Sequence, residues 1–308
     1  PTLQLSFFKP LSSLEEAGAV LLDLISDAQV SERAHQEIAI CSNEDWIVKR
    51  LSEFIPTIIV FCRYNGKFTN LIVDWAKKKG IPTVFHIDDD LLNIPKDIGY
   101  GKYKYHNDPK RLEAIRFLLD NTDLVYCSTK RLYERFHSLK VKSPMTTGKI
   151  YCSGQILVPA TLKPVIRKFG YMASADHDHN LQMILPAIVE FLRRNPTIFF
   201  EFFGSIPIPR ELDEFGSRIT TVPPIHNYNN FLEEFAKLGW DVGICPLTPI
   251  NFNLMKANTK WVEYTSVGIA VIASRNTVYD ECCTDGCGIL AETQEEWLAA
   301  FEKLAHNP

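Results

Sequence analysis

Two α/β domains in series, each a sheet of buried parallel strands covered by helices, are what this sequence predicts. Short β-branched or aromatic runs alternate with amphipathic stretches along the whole chain. These runs are apolar throughout rather than every second residue, as strands buried on both faces must be. A proline-bearing break at 159–168 interrupts the alternation near the middle of the 308 residues, a length at which one core usually divides into two.

In chain order the first half reads "TLQLSFF" as a strand, then a helix over 12–25; "EIAICS", then 45–54; and "TIIVFC", then 68–79. It continues with "PTVFHID", then 109–119; "LVYCST", then 130–139; and "KIYCSGQILV". This is one Rossmann-like, doubly wound half, with its boundary near residue 160. The stretch 159–168, with Pro159 and Pro164 and no apolar period, reads as a hinge. The second half, 161–308, restarts with "RKFGYMAS" and a helix over 179–194, then "TIFFEFFGS", a short helix at 210–215 and "RITTVPP". Next come a helix over 229–238, "DVGICPL", a helix over 258–267, "AVIAS", "GILAE" and a last helix from Gln294. Sheets of this kind bind ligands beyond the carboxyl ends of their strands, so two facing domains place the site in the cleft between them.

Composition narrows the function. A net charge of −4 argues against a nucleic-acid binder that works by neutralising phosphates. No run of eighteen apolar residues and no signal-peptide pattern stands in the sequence, and most of the eight cysteines lie in apolar runs, so a soluble protein of a reducing, cytoplasmic compartment is expected. Cys282, Cys283 and Cys287 lack a second pair at zinc spacing, and His177, Asp178 and His179 lack further ligands, so no metal site is expected at either cluster.

The segment "NFNLMKANTKWVEYTSVGIAVIAS" at 251–274 carries the chemistry. A helix starting at Asn258 on the carboxyl edge of a parallel sheet turns its free N–H groups toward the cleft, where an anion is favoured. Lys256 and Lys260, four apart, would add their charge to the same anion, a diphosphate being the natural one. Glu263, further along that face, suits a pair of vicinal hydroxyls such as those of ribose. The plainer alternative is a solvated salt bridge between Lys260 and Glu263.

From "CPLTPINFNLMKANTKWVEYTSVGIAVIAS" the chain resembles the GT-B glycosyltransferases close to the retaining family 4 enzymes of bacterial polysaccharide biosynthesis, with a pattern FN-x-x-K-x-x-x-K-x-x-EY-x-x-x-G-x-x-V-x-x-S. "FGYMAS", "FEFFGS", "DLVYCSTKRL" and "VFHIDDDLLNIP" are similar to other parts of these enzymes. The resemblance implies two Rossmann-like domains facing across a cleft: an acceptor-side domain over 1–160 and a nucleotide-sugar domain over 161–308. It implies transfer of a sugar from a nucleotide-diphosphate sugar to a glycan or lipid-linked glycan, with retention and without a metal or other cofactor. Peripheral membrane contact is compatible with such an acceptor. Glu263 would hold the ribose, with Lys256, Lys260 and Asn253 near the diphosphate or donor sugar, and Ser174 and Gly204 at the ends of the first two donor-domain strands.

On the acceptor side, Asp88 and Asp89 at a strand end can orient the attacking hydroxyl, although carboxylates in "DDDLLNIP" can equally cap the next turn. His86 either shares their face or packs in the core. Arg63, in a strand-to-helix loop, and Ser128, at a strand end or as a cap, are further acceptor-side candidates. Three features depart from the family. Met255 stands where its first glutamate is expected, "MASADHDHNLQ" lacks the usual Arg and Lys, and "FFKPLSSLEEAG" lacks a glycine-rich loop. Rival readings are a degenerate, non-catalytic nucleotide-sugar-binding subunit, a nucleotide-sugar epimerase or phosphorylase, and a two-domain small-molecule binding protein.

Overall fold

A computed structural model describes residues 2–35, 42–150, 165–225 and 227–306. The first half contains helices α1 (Lys9–Glu16), α2 (Asp27–His35) and α3 (Asn43–Phe54), then strand β1 (Ile59–Cys62), α4 (Thr69–Lys79) and β2 (Thr83–Ile87). It goes on through α5 (Tyr100–His106), α6 (Pro109–Asn121), β3 (Leu124–Cys127), α7 (Lys130–Ser138) and β4 (Met145–Thr147). The four strands form one parallel sheet in the order β1-β2-β3-β4.

Local chemistry sets the helix ends. Ser42, Asp108 and Thr129 each accept a hydrogen bond from a first-turn N–H of α3, α6 and α7, and Gly80 closes α4 in the left-handed region that a glycine adopts without strain. Ile47, Val73, Phe85, Ile115, Leu118 and Phe136 fill the core around this sheet.

The expected first strand does not form. "TLQLSFF" makes a π-helical turn over Gln4–Phe8 that runs into α1, whose first turn accepts Pro10, a residue with no N–H to give a sheet. Its apolar residues cover the sheet's carboxyl edge instead: Leu5 is buried and the Phe7 ring meets His86 edge-on at 5.1 Å. The strands expected at 37–42 and 149–158 lie almost wholly, and the hinge expected at 159–168 in its first six residues, outside the described residues.

The second half is a complete doubly wound unit. Its elements are β5 (Lys168–Ala173), α8 (Asp178–Gln182), α9 (Leu185–Arg194), β6 (Phe199–Gly204), β7 (Ile219–Val222), α10 (Tyr228–Lys237), β8 (Val242–Cys245), α11 (Asn251–Leu254), α12 (Thr259–Ser266), β9 (Ala270–Ser274), β10 (Ile289–Ala291) and α13 (Gln294–His306). All six strands are parallel, in the order β10-β9-β8-β5-β6-β7, so the winding reverses between β5 and β8. The single helix expected over 179–194 is broken at Met183 and Ile184, with Pro186 in the first turn of α9.

Phe169, Phe191, Phe200, Trp297 and Phe301 pack on one face of this sheet, and Phe203, Phe235, Trp240 and Tyr264 on the other. A charge lies beside these rings. Glu201 accepts from Trp240 Nε1 at 2.7 Å and Thr220 Oγ1 at 2.9 Å and pairs with Lys168 at 2.9 Å, which satisfies the buried carboxylate. Gly170 makes room for this arrangement, because a Cβ there would lie 2.3 Å from the Trp240 indole.

The halves meet at their carboxyl edges. Phe252 of α11 is 5% exposed and belongs to the core of the first half, where Ile250 and Met255 also pack. Thr129 donates to the Met255 carbonyl at 3.3 Å, Arg131 to that of Asn276 at 3.4 Å, and Lys102 pairs with Asp176 at 3.0 Å.

Candidate donor and acceptor sites

The reversal point between β5 and β8 is where an open sheet of this winding leaves a crevice for a ligand. Two loops line it, and a buried amide network joins them. Asn180 accepts from Thr248 N at 2.8 Å, and Asn253, 2% exposed, donates to the Thr248 carbonyl at 3.1 Å and its Oγ1 at 2.9 Å. Asn180 therefore joins the loop after β8 to α8, the first helix after β5, and Asn253 braces that loop from within.

Glu263 faces this crevice from α12 and is 5% exposed. Its Oε1 accepts from the Tyr228 hydroxyl at 2.7 Å. Burial lifts the carboxyl to about 7, against the opposing pull of Tyr228 and Lys260. Lys260, half-buried one turn earlier, places Nζ 5.2 Å from the centroid of the Tyr171 ring. Burial brings its ammonium down to about 8, and Lys256 pushes in the same direction. The first turn of α12 has no side-chain cap.

Lys256 is not on this helix. The pattern expected to run through 258–267 begins only at Thr259, and Lys256 lies in the break after α11, with its N–H bonded to the Asn253 carbonyl at 3.2 Å and Nζ 4.9 Å from the Phe252 ring. It still acts on the same place. The charges of Lys260 and Lys256, together with burial, hold His177 neutral far below the ordinary imidazole range. His177 Nδ1 lies 3.1 Å from the Asn180 amide nitrogen.

Ser174, exposed at the end of β5, donates to Asp176, the residue paired with Lys102. Gly204 ends β6 at φ +118°, where a Cβ would come within 2.3 Å of the Ala173 carbonyl oxygen. Close approach of the two strand ends accounts for this glycine.

On the opposite edge, Arg63 adopts φ 50° and its Nη1 donates to Asp88 Oδ1 at 2.6 Å and Asp89 Oδ2 at 2.7 Å. Asp88 is buried and also accepts from Thr2 at 2.6 Å; burial raises its carboxyl, with Arg63 opposing. Asp89 is the more open of the two, with a side chain 14% exposed against 6% for Asp88. Asp90, fully buried, pairs with Arg135 at 3.1 Å and so ties α7 to the sheet edge.

His86 is enclosed between Phe7 and the Tyr126 ring stacked at 5.3 Å, and burial, with the charge of Arg63, lowers it to about 4. It packs as a neutral ring. Ser128 is buried at the end of β3, where its N–H bonds the Ile87 carbonyl at 3.0 Å and its hydroxyl has no partner.

Reasoning from sequence overlooked Lys102, which pairs with Asp176, Arg111, which donates to Asn65, and His106, all on α5 and α6. Burial, with the charges of Arg63 and Arg111, lowers His106. "YGKYKYH" has no apolar period that would reveal a helix facing a cleft. Tyr228 and Tyr171 also carried no local signal. Among the described residues, no group of three or more His, Cys, Asp or Glu is arranged to hold a metal ion, and no helix is long and apolar enough to cross a membrane.

Neither a protein-family model nor a curated relative matches the sequence. Solved structures do. HepE of Anabaena, in complex with UDP-glucose, matches with a TM-score of 0.60 at 12% identity, over 96% of this chain and 82% of that one. TarM matches at 0.57 and 11% identity over 86% of this chain, which spans 54% of its length. A UDP-forming α,α-trehalose-phosphate synthase from Burkholderia xenovorans matches at 0.55 and 11% identity, over 86% and 71% of the two chains. The chain has the GT-B fold.

Proposed function

We propose that this GT-B chain is a glycosyltransferase that moves a sugar from a nucleotide-diphosphate sugar to a glycan or lipid-linked glycan, with retention and without a metal. The observation that carries the reading is the grouping of buried Glu263 with Lys260, Lys256 and His177 at the reversal point. HepE, a fold neighbour, is seen with UDP-glucose.

In this reading Glu263 accepts hydrogen bonds from the ribose hydroxyls, held toward them by Tyr228. Negative charge builds on the diphosphate as its bond to the anomeric carbon breaks. Lys260, Lys256 and the uncapped first turn of α12 stand ready to stabilise it, in a site already shaped before the reaction. Asp89 orients the acceptor hydroxyl, whose proton leaves with the departing diphosphate. Arg63 already pairs with both Asp88 and Asp89, which supports an acceptor role over a cation site. Asn253 and Gly204 position the loops rather than touch the donor.

The test is release of nucleoside diphosphate from a panel of nucleotide sugars, with and without a chelator and with Lys260→Ala alongside. Turnover that survives chelation and is lost with Lys260 is the expected result. Tight binding with no turnover would favour a non-catalytic nucleotide-sugar-binding subunit instead. Met255 motivates that second reading. The position of the family's first glutamate here supplies a carbonyl to Thr129 and a side chain to the other half's core.

A further inference from the structure

We infer that the acceptor carries an anionic group, a phosphate or a carboxylate, which Lys104 and Arg111 receive in a cleft between α5 and α6. The word acceptor rests on the glycosyltransferase reading; the anion site itself does not. The cleft has a volume of about 330 Å³ and is lined by Gly101, Lys104, Tyr105, Asp108 and Arg111.

Arg111 is fixed in place before any ligand arrives. Its Nη1 donates to Asn65 Oδ1 at 2.6 Å, Asn65 is 8% exposed, and the guanidinium carbon lies 3.7 Å from the centroid of the Tyr105 ring. Held on one side by an amide and on its face by a ring, the guanidinium keeps its other N–H groups directed in a fixed fork, the geometry that suits a carboxylate or phosphate.

Charge in the cleft is unbalanced. Among the described residues neither Lys104 nor Arg111 has a carboxylate within ion-pair distance. Asp108, the acid in the lining, accepts from the N–H groups of Lys110 at 2.9 Å and Arg111 at 3.4 Å, so its charge sits at the start of α6. His106, the next residue along α5 from Tyr105, meets that ring edge-on at 5.1 Å and has a buried Nδ1 with no partner. Glycine at 101 leaves the wall low, and Tyr105, 48% exposed, offers a ring against which a sugar can lie.

The position suits an acceptor subsite. α5 borders the donor side through Lys102, which pairs with Asp176 at 3.0 Å, and Asn65, which holds Arg111, stands two residues after Arg63, the partner of Asp89. A sugar whose anion rests on Arg111 can therefore direct a hydroxyl toward Asp89.

Titration of the whole chain with glucose 6-phosphate, glucuronate and glucose, each with and without UDP, tests this by calorimetry or ligand-observed NMR. At least one charged sugar binds and glucose binds about tenfold more weakly or not at all, as a charge-assisted contact predicts. Which one binds distinguishes phosphate from carboxylate. Arg111→Gln and, separately, the exposed Lys104→Gln each weaken that binding about tenfold while leaving UDP affinity unchanged. Equal binding of glucose, absence of binding by both charged sugars, or unchanged binding by both variants would overturn the inference. Loss of UDP binding in the unmodified chain would instead overturn the donor reading.

Discussion

The Tyr228 hydroxyl donates to Oε1 of Glu263 at 2.7 Å, joining the first turn of α10 to the middle of α12. This bond favours the ionised carboxylate, which burial otherwise disfavours. Tyr228→Phe removes it and moves the Glu263 carboxyl above about 7. UDP affinity at pH 7 falls by roughly tenfold, in line with loss of a hydrogen bond to a charged group. Titration calorimetry checks this; unchanged affinity would mean that Glu263 does not receive the nucleotide.

The pH dependence of UDP binding follows from the same two residues. Ribose hydroxyls donate to the ionised carboxylate, so affinity rises with pH as Glu263 ionises near 7. The diphosphate needs the ammonium, so affinity falls again as Lys260 loses its proton near 8. Binding is therefore strongest between these values. Tyr228→Phe shifts only the acidic limb, upward, and a flat profile would argue against both assignments.

Lys260→Met tests the cost of the site. Lys260 has its folded value depressed, so the stability it contributes is complete only above the ordinary lysine range and is lost as pH falls through about 8. At pH 7 the empty protein holds a cation in a poorly hydrated place. The methionine variant melts a few degrees higher without ligand, a gain on the order of 1 kcal/mol, and no longer gains stability from UDP. A lower melting point would show that Lys260 serves the fold.

Arg63→Met leaves Asp88 and Asp89 without their shared cation. Destabilisation of about 3 kcal/mol at neutral pH is expected from an unpaired buried carboxylate. Burial already raises Asp88, and removing Arg63 raises it further. A raised carboxyl contributes stability that is complete below the unfolded value and is lost as pH rises through the folded one. The deficit against the parent protein therefore grows from pH 5 to pH 7.5 in urea unfolding, and a deficit independent of pH would contradict the pairing.

Phe252 anchors one half in the core of the other. Phe252→Ala costs about 3 kcal/mol by the usual scale for a buried phenyl ring. It also frees Lys256, which lies 4.9 Å from that ring, so UDP affinity falls together with stability. Loss of stability alone would separate the anchor from the donor site.

Much of this was legible in order along the chain. Runs such as "TIIVFC" and "DVGICPL" form parallel strands because continuous apolar character suits a sheet covered on both faces, and Lys260 and Glu263 share a helix face as their spacing required. What escaped is nonlocal. "TLQLSFF" reads as a strand, yet it covers a sheet edge as a helical turn, in which Leu5 is buried and Phe7 meets the His86 ring. The break between α11 and α12 depends on Phe252 entering the other half's core, which no local period encodes. His177 and Arg111 gain their setting only when the loops after β5 and the start of α6 are brought to the cleft.

Calorimetric titration of UDP into the unmodified protein, Glu263→Ala and Lys260→Ala most directly tests the central claim that the reversal point of the second sheet binds a nucleoside diphosphate. Saturable binding weakened at least tenfold by each substitution is the predicted result. No binding, or binding that both variants retain, would contradict it.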